Sequence, residues 1–105
     1  MTRITILYPK TATSTFDLDY YLNTHIPMSQ AAFGDSLRSL SVEVGQMGGA
    51  IDSPAPYAVV CNFLFDTVEA FLDVFMPHAA QLQGDIVAFT NVAPVIQISE
   101  VVLAV

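Results

Sequence analysis

The chain has 105 residues, of which 53% are hydrophobic and only 12% are charged. Ten Asp and Glu residues oppose three Lys and Arg residues, which gives a formal net charge of -7. This composition excludes a disordered chain, because disorder combines low hydrophobicity with high charge. Three scattered cations also argue against a nucleic-acid-binding protein, which needs a basic cluster. No apolar run approaches the roughly 20 residues of a membrane span.

No repeat, linker or low-complexity run divides the sequence, which predicts a single domain over residues 1–105. The only cysteine, Cys61, has no internal disulfide partner, so a reducing, cytoplasmic location is expected. A chain this short buries only about 60 to 68% of its surface on folding. Some of its many apolar residues are therefore expected in a partner interface or in a ligand pocket.

The first half of the predicted elements is a strand followed by a helix. Residues 3–8 alternate β-branched and large apolar side chains, which is typical of a strand, and Pro9 ends it. Residues 17–33 repeat apolar side chains at helical spacing, and Asp17 is a suitable N-cap. Pro27 is expected to kink or break this helix, because it has no N–H for the preceding turn.

Two strands, a helix and a last strand are predicted in the second half. Residues 38–47 and residues 57–65 have the composition of strands. Residues 66–69 form a helix start, and the helix is expected to extend through Phe75 and either to end there or to continue past Pro77 to Leu82. Residues 95–105 then predict the last strand.

The order β-α-β-β-α-β predicts an α+β, ferredoxin-like fold, with a four-stranded antiparallel sheet and both helices on one face. The third predicted strand is apolar on both of its faces. A sheet with one solvated face would instead alternate apolar and polar residues. The uncovered face therefore needs an apolar partner, and a second copy of the same sheet is the simplest one. These arguments predict a homodimer joined sheet to sheet, that is, a homodimeric α+β barrel.

His25 is the first candidate for chemistry, since it shares a helix face with Tyr21 and Met28 that should turn towards the sheet. An imidazole beside an apolar cleft suits general acid–base catalysis. The alternative is a buried neutral histidine that is satisfied by a backbone carbonyl. His78 lies in the second helix, either close to His25 or at least a helix diameter away.

Two further residues have both a chemical and a structural interpretation. Asp85 precedes the last strand, where a carboxylate either orients a histidine or caps a turn. Tyr8, at the end of the first strand, either hydrogen-bonds a ligand oxygen or packs in the core. The histidines show no metal-ligand spacing, so neither a metal nor a cofactor is predicted. Four Tyr and seven Phe residues fit a pocket for an apolar ligand as well as a plain core.

Four groups of residues are similar to those of a known family. The groups are residues 7–9 with 16–21, residues 25–28, residues 43–45 with 48–49, and residues 85–86 with 89–91 and 94–101. The Tyr-Tyr pair, the His-x-Pro segment and the Ile-Gln-Ile-Ser-Glu segment are specific in combination. On these residues the chain resembles the EthD family of the dimeric α+β barrel superfamily. The likeness spans nearly the whole sequence. One departure is Val87-Ala88, where similar chains have Pro-Asn, and it makes this loop less rigid.

The resemblance implies the same fold and the same sheet-to-sheet homodimer. It places His25 at the family's His-x-Pro position, and Tyr8, His78 and Asp85 where similar proteins carry these residue types. The family's namesake is associated with breakdown of an ether through an oxygenase system. Relatives in the wider superfamily include polyketide cyclases, decarboxylases, isomerases and cofactor-free monooxygenases.

The sequence is therefore interpreted as a cofactor-independent protein that binds an apolar, aromatic or polyketide-like small molecule. In the first hypothesis it is an enzyme that catalyses cyclisation, dehydration, isomerisation or decarboxylation. His25 is then the general acid or base, Tyr8 binds the substrate oxygen, and Asp85 or His78 tunes the imidazole. The alternatives are a non-catalytic accessory dimer that supports an oxygenase, and a haem-binding protein with an axial histidine. The expected pocket residues are Tyr21, Phe16, Met28 and Phe65.

Overall fold

A single antiparallel sheet organises the chain, for which a computed structural model describes residues 1–105. Its strands are β1 (Thr2–Pro9), β2 (Ser39–Val44), β3 (Tyr57–Phe65) and β4 (Val95–Glu100). They are hydrogen-bonded in the order β2-β3-β1-β4. The predicted α+β, ferredoxin-like order of strands and helices is confirmed.

The first helix, α1, covers residues 18–33 in three parts, which are an α-helical turn at Leu18–Tyr20, a π-helical turn at Tyr21–His25 and an α-helix at Ile26–Phe33. Asp17 caps it, since its carboxylate accepts a hydrogen bond from the Tyr20 N–H at 3.0 Å. The expected break at Pro27 does not occur. The wider π-helical turn comes directly before the proline, and the Ile26 N–H bonds to the Tyr21 carbonyl there. The helix thus continues although Pro27 donates no hydrogen bond.

The second predicted helix is regular as far as Phe75 and is interrupted around Pro77, where the sequence left its continuation open. It consists of α2 (Val68–Phe75), a 3₁₀ turn at Met76–His78, α3 (Ala79–Gly84) and a 3₁₀ turn at Asp85–Ala88. Thr67 caps α2, because its hydroxyl accepts from the Ala70 N–H at 3.0 Å. The interruption contains Pro77, which lacks the N–H of a regular helical turn. None of the helices is both long and apolar enough to cross a membrane.

Two strands are shorter than predicted. β2 ends at Val44, although the Gly45 N–H still bonds to the Ala58 carbonyl at 2.9 Å. A Cβ atom at Gly45 would overlap the Tyr57 carbonyl and the Ala55 side chain. β4 ends at Glu100 because its only neighbour, β1, begins at Thr2. Residues 101–105 consequently lie outside the sheet, although the Val101 N–H still bonds to the Met1 carbonyl at 2.9 Å.

The core lies between the helices and one face of the sheet. On β3, the side chains of Val59, Cys61, Phe63 and Phe65 are buried on this helix-facing side. The intervening residues of β3 are half-buried on the other side, which no helix covers, and they are Ala58, Val60, Asn62 and Leu64. We call this other side the open face. β3 therefore carries apolar side chains on both faces, as its sequence predicts.

Candidate ligand-binding cavity

A cavity of about 270 Å³ lies between the helices and the helix-facing side of β1 and β4. It forms because β4 is an edge strand that the helices do not cover fully. Ile96 and Ile98 of β4 lie opposite Ile6 and Ile4 of β1, so that all four share one side of the sheet. Ile96 is 51% exposed and Ile98 is 44% exposed despite facing this side. Thirteen of the seventeen residues that line the cavity are hydrophobic.

His25 lies in the wall of this cavity, at the end of the π-helical turn. Its ring is stacked on Tyr21, with centroids 5.4 Å apart, and contacts Phe89 at 4.7 Å. The Nδ1 atom lies 2.9 Å from Oδ2 of Asp85. His25 is thus buried, at 7% exposure, but its partner is a carboxylate and not a backbone carbonyl.

The Asp85 carboxylate holds two side chains at once. Its Oδ1 atom accepts a hydrogen bond from the Tyr20 hydroxyl at 2.7 Å, while Oδ2 bonds to His25. This hydrogen bond raises the pKa of Tyr20, which keeps the hydroxyl a donor. An ionised carboxylate can only accept, so the hydrogen-bond network assigns the ring proton of neutral His25 to Nδ1. The Nε2 atom then carries the free lone pair and has no hydrogen-bond partner in the protein.

Tyr20 is the residue of this site that the sequence did not reveal. In a regular α-helix, residues that share a face are three or four apart, whereas Tyr20 and His25 are five apart. The π-helical turn inserts an extra residue between them, so that both reach Asp85. The Tyr-Tyr pair in the sequence was the only available signal, and it did not say which tyrosine turns towards Asp85.

Tyr8 and Tyr21 add two hydroxyl groups to the cavity residues. Their rings pack edge to face with centroids 5.6 Å apart. Burial raises the pKa of Tyr8 to about 12, an effect that the neighbouring Tyr21 hydroxyl partly opposes. Burial also raises the pKa of Tyr21 strongly. Both phenols therefore stay uncharged at neutral pH and keep the proton that a hydroxyl donates.

His78 does not join this group. It lies half-buried in the 3₁₀ turn at Met76–His78, and it is not among the residues that line the cavity. The structure therefore brings Asp85 to His25 but does not bring the second histidine to the cavity. The turn that contains Pro77 separates α2 from α3 and places His78 outside the wall.

Of the four expected pocket residues, only Tyr21 lines the cavity. Phe16 packs against Tyr8 and borders a shallow depression on the outer surface instead. Met28 is half-buried and packs on the core, and Phe65 is buried beneath Phe33 and Phe71. These three side chains pack on or within the core and leave the cavity wall to other residues.

Ser29 and the two isoleucines of β4 line the cavity without having been predicted. Ser29 is buried one turn after His25, and its hydroxyl donates to the His25 carbonyl at 3.2 Å. Ile96 and Ile98 belong to the Ile-Gln-Ile pattern of β4, which marks a strand but not a cavity. These two isoleucines line a cavity only because the helices do not extend far enough across the sheet to cover them.

Neither a metal site nor a reactive cysteine adds to the groups around His25. No three His, Cys, Asp or Glu side chains lie close enough together to hold a metal ion. The Cys61 thiol is buried under the helices, and burial raises its pKa to about 11. It is therefore protonated at neutral pH and is a poor nucleophile.

The chain is similar to known proteins in both sequence and fold. The sequence model of the EthD domain matches residues 10–93. An EthD-like protein from Ralstonia eutropha JMP134 has 37% sequence identity and a TM-score of 0.91, covering 97% of this chain and 92% of that chain. Among proteins with curated descriptions, none matches the sequence.

Two more distant structures are similar in fold. An ethyl tert-butyl ether D (EthD) family protein from Bacillus halodurans C-125 has 19% identity and a TM-score of 0.72, covering 95% of this chain and 97% of that chain. HapK from Hahella chejuensis has 14% identity and a TM-score of 0.55, covering 100% of this chain and 97% of that chain.

Proposed function

The chain belongs to the EthD domain family, and we propose that it binds a small, predominantly apolar molecule beside His25, which transfers a proton to or from this molecule. One observation carries the proposal. The Nδ1 atom of His25 is held 2.9 Å from Asp85, while the same ring lines an apolar cavity and its Nε2 atom has no protein partner. A general base needs such a free atom within reach of the bound molecule.

The proposed chemistry uses only side chains of the cavity. Neutral His25 accepts a proton at Nε2, and the Asp85 carboxylate stabilises the resulting imidazolium. Tyr8 and Tyr21 are neutral donors for an oxygen on which negative charge develops. Cyclisation, dehydration, isomerisation and decarboxylation all contain a proton transfer of this kind. Binding without turnover, in support of an oxygenase, would use the cavity but not the Nε2 atom.

We also propose that two copies pack together through their open faces. Leu7, Val60 and Leu64 are half-buried apolar residues on this face, and Val95 on β4 lies beside them. Arg3 lies on the same face, and its Nε atom is buried without a hydrogen-bond partner. A second copy would remove these apolar side chains from water and could offer Arg3 an acceptor.

Filling the cavity tests the proposed binding site. Leu72 lines the cavity at 40% exposure, so Leu72→Trp should project an indole into it without disturbing the core. We expect the variant to bind N-phenyl-1-naphthylamine at least about tenfold more weakly than the unmodified protein, a difference of about 1.4 kcal/mol. The measurement is the rise in probe fluorescence on titration with protein.

A matched control is available on α1. Leu22 is 43% exposed but does not line the cavity, so Leu22→Trp should bind the probe like the unmodified protein. Equal binding by Leu72→Trp and Leu22→Trp would show that the probe binds elsewhere. No fluorescence rise with the unmodified protein would contradict the binding function itself.

A further inference from the structure

The charges around the cavity determine which molecules it can hold, and this inference rests on the proposed function. We propose that the ligand is a neutral hydroxy-aromatic compound, a phenol or the corresponding enol, and that carboxylates, phosphates and amines are rejected, which removes decarboxylation from the reactions considered above. Three features of the wall support this class, and they are the absence of a free charge, the acceptor at His25 and the aromatic lining.

No cation is present to receive an anionic ligand. The cavity wall contains neither Lys nor Arg. Arg3 lies on the open face of β1, on the other side of the sheet, and Arg38 is paired with Asp66 at 2.8 Å. Lys10 is exposed after the end of β1. A carboxylate or phosphate in the cavity would therefore be buried without a counter-ion, which is strongly unfavourable.

No carboxylate is free to receive a cationic ligand either. Asp85 is the acidic group nearest to the cavity, and both of its oxygens are occupied, by Tyr20 and by His25. No Asp or Glu residue lines the cavity. If His25 becomes protonated, its positive charge is already paired with Asp85. The pair of His25 and ionised Asp85 thus carries one negative charge when the histidine is neutral and none when it is protonated, so it never offers a net positive charge to an anion.

The polar groups of the wall fit a hydroxyl group. The Nε2 atom of neutral His25 is an acceptor, so it matches a ligand that donates an O–H hydrogen bond. Tyr8 and Tyr21 line the same cavity and keep their protons, so the wall also contains uncharged O–H donors that suit the lone pairs of a ligand oxygen. A phenol or enol supplies the donor and the acceptor on one atom, whereas a simple hydrocarbon supplies neither.

The rest of the wall fits a small aromatic ring system. Phe33, Phe63, Phe71 and Phe75 line the cavity together with the two tyrosines. Phe71 and Phe75 are stacked with centroids 5.0 Å apart and present ring surfaces of nearly one orientation. Flat apolar ligands pack well on such surfaces. The volume of about 270 Å³ lies just below the usual range for small-molecule sites, which favours one or two fused rings.

Three naphthalenes that differ in one substituent test the inference, namely naphthalene, 2-naphthol and 2-naphthoate. Each is titrated against N-phenyl-1-naphthylamine bound to the unmodified protein and to His25→Phe, at neutral pH. We expect 2-naphthol to bind about two- to tenfold more tightly than naphthalene, the usual range for one hydrogen bond. We expect 2-naphthoate to bind at least about tenfold more weakly than 2-naphthol.

The variant separates the hydroxyl contact from the cavity. In His25→Phe, the affinity for 2-naphthol should fall to that for naphthalene, and an unchanged naphthalene affinity shows that the cavity is intact. Binding of 2-naphthoate by the unmodified protein as tightly as 2-naphthol overturns the inference but leaves the proposed function standing. Failure of all three compounds to displace the probe overturns the proposed function as well.

Discussion

At the residue scale, Asp85 holds the imidazole of His25 in place in the cavity wall. Its two oxygens accept from Tyr20 and from His25, which come from different parts of α1. Hydrogen bonds to an ionised group are stronger than those between neutral groups. The carboxylate therefore restrains the imidazole in one orientation and one tautomer. Tyr20 acts through Asp85 and is a positioning residue.

The buried hydroxyl and thiol groups predict a loss of stability in alkali. Burial raises the pKa of Tyr8 from 10.0 to about 12 and the pKa of Cys61 from 9.0 to about 11. The folded chain therefore binds more protons than the unfolded chain above about pH 9. Their contribution to stability is complete below that pH and is lost as pH rises towards about 12.

We expect the urea midpoint of unfolding to fall steadily between pH 9 and pH 11. Tyr8→Phe removes one of these groups, so the fall should be shallower in this variant. Circular dichroism in urea at a series of pH values measures the midpoint. A midpoint that is constant up to pH 11 would show that these groups are not buried as the structure has them.

The candidate residues could be predicted from the sequence only in part. His25 and Asp85 were singled out by residue type, and the structure places them within 2.9 Å of each other. Tyr20 was missed because its direction depends on the π-helical turn. His78 is similar to His25 in type, but helical spacing alone does not determine on which side of the layer it lies.

At the scale of elements, composition was most informative where both ends of an element are marked. β3 covers residues 57–65 as predicted, since turn residues flank an apolar run that only Asn62 interrupts. Pro27 was expected to kink or break the helix, whereas α1 continues through it, because a proline does not determine how the preceding turn adjusts. A shift to π-helical hydrogen bonding changes which carbonyl each N–H meets, and apolar spacing does not encode that choice.

The cavity could also not be predicted from the sequences of the individual elements. It depends on how far α1 and α2 extend sideways across the sheet, which leaves Ile96 and Ile98 of β4 uncovered. The sequence places these isoleucines on one face of a strand, but it does not say where the helices end over them. The pocket residues expected from the sequence were therefore mainly interior residues, such as Phe65.

At the scale of the whole molecule, the apolar surplus is found in two places. One is the open face of the sheet, and the other is the cavity beside His25. The acidic residues lie largely on the exposed surface, where a negative field disfavours the approach of anions. The net charge of -7 agrees with a cavity that rejects anions.

The proposed dimer predicts a mass of about twice 11.4 kDa by light scattering. Val60 lies on the open face of β3, a central strand, so Val60→Asp should give a folded monomer by burying a charge in the interface. Val87→Asp, at an exposed position outside the sheet, should remain dimeric. A monomeric unmodified protein, or a dimer that Val60→Asp leaves unchanged, would contradict the sheet-to-sheet assembly.

The central claim is that His25 presents a free Nε2 acceptor to a ligand cavity while Asp85 holds Nδ1. The most direct test is the long-range ¹⁵N–¹H spectrum of the imidazole, recorded in His78→Gln so that only one of the two histidines contributes. We predict that the neutral ring carries its proton on Nδ1 and that 2-naphthol shifts the Nε2 resonance. A proton on Nε2, or an Nε2 resonance that 2-naphthol leaves unchanged, would contradict the claim.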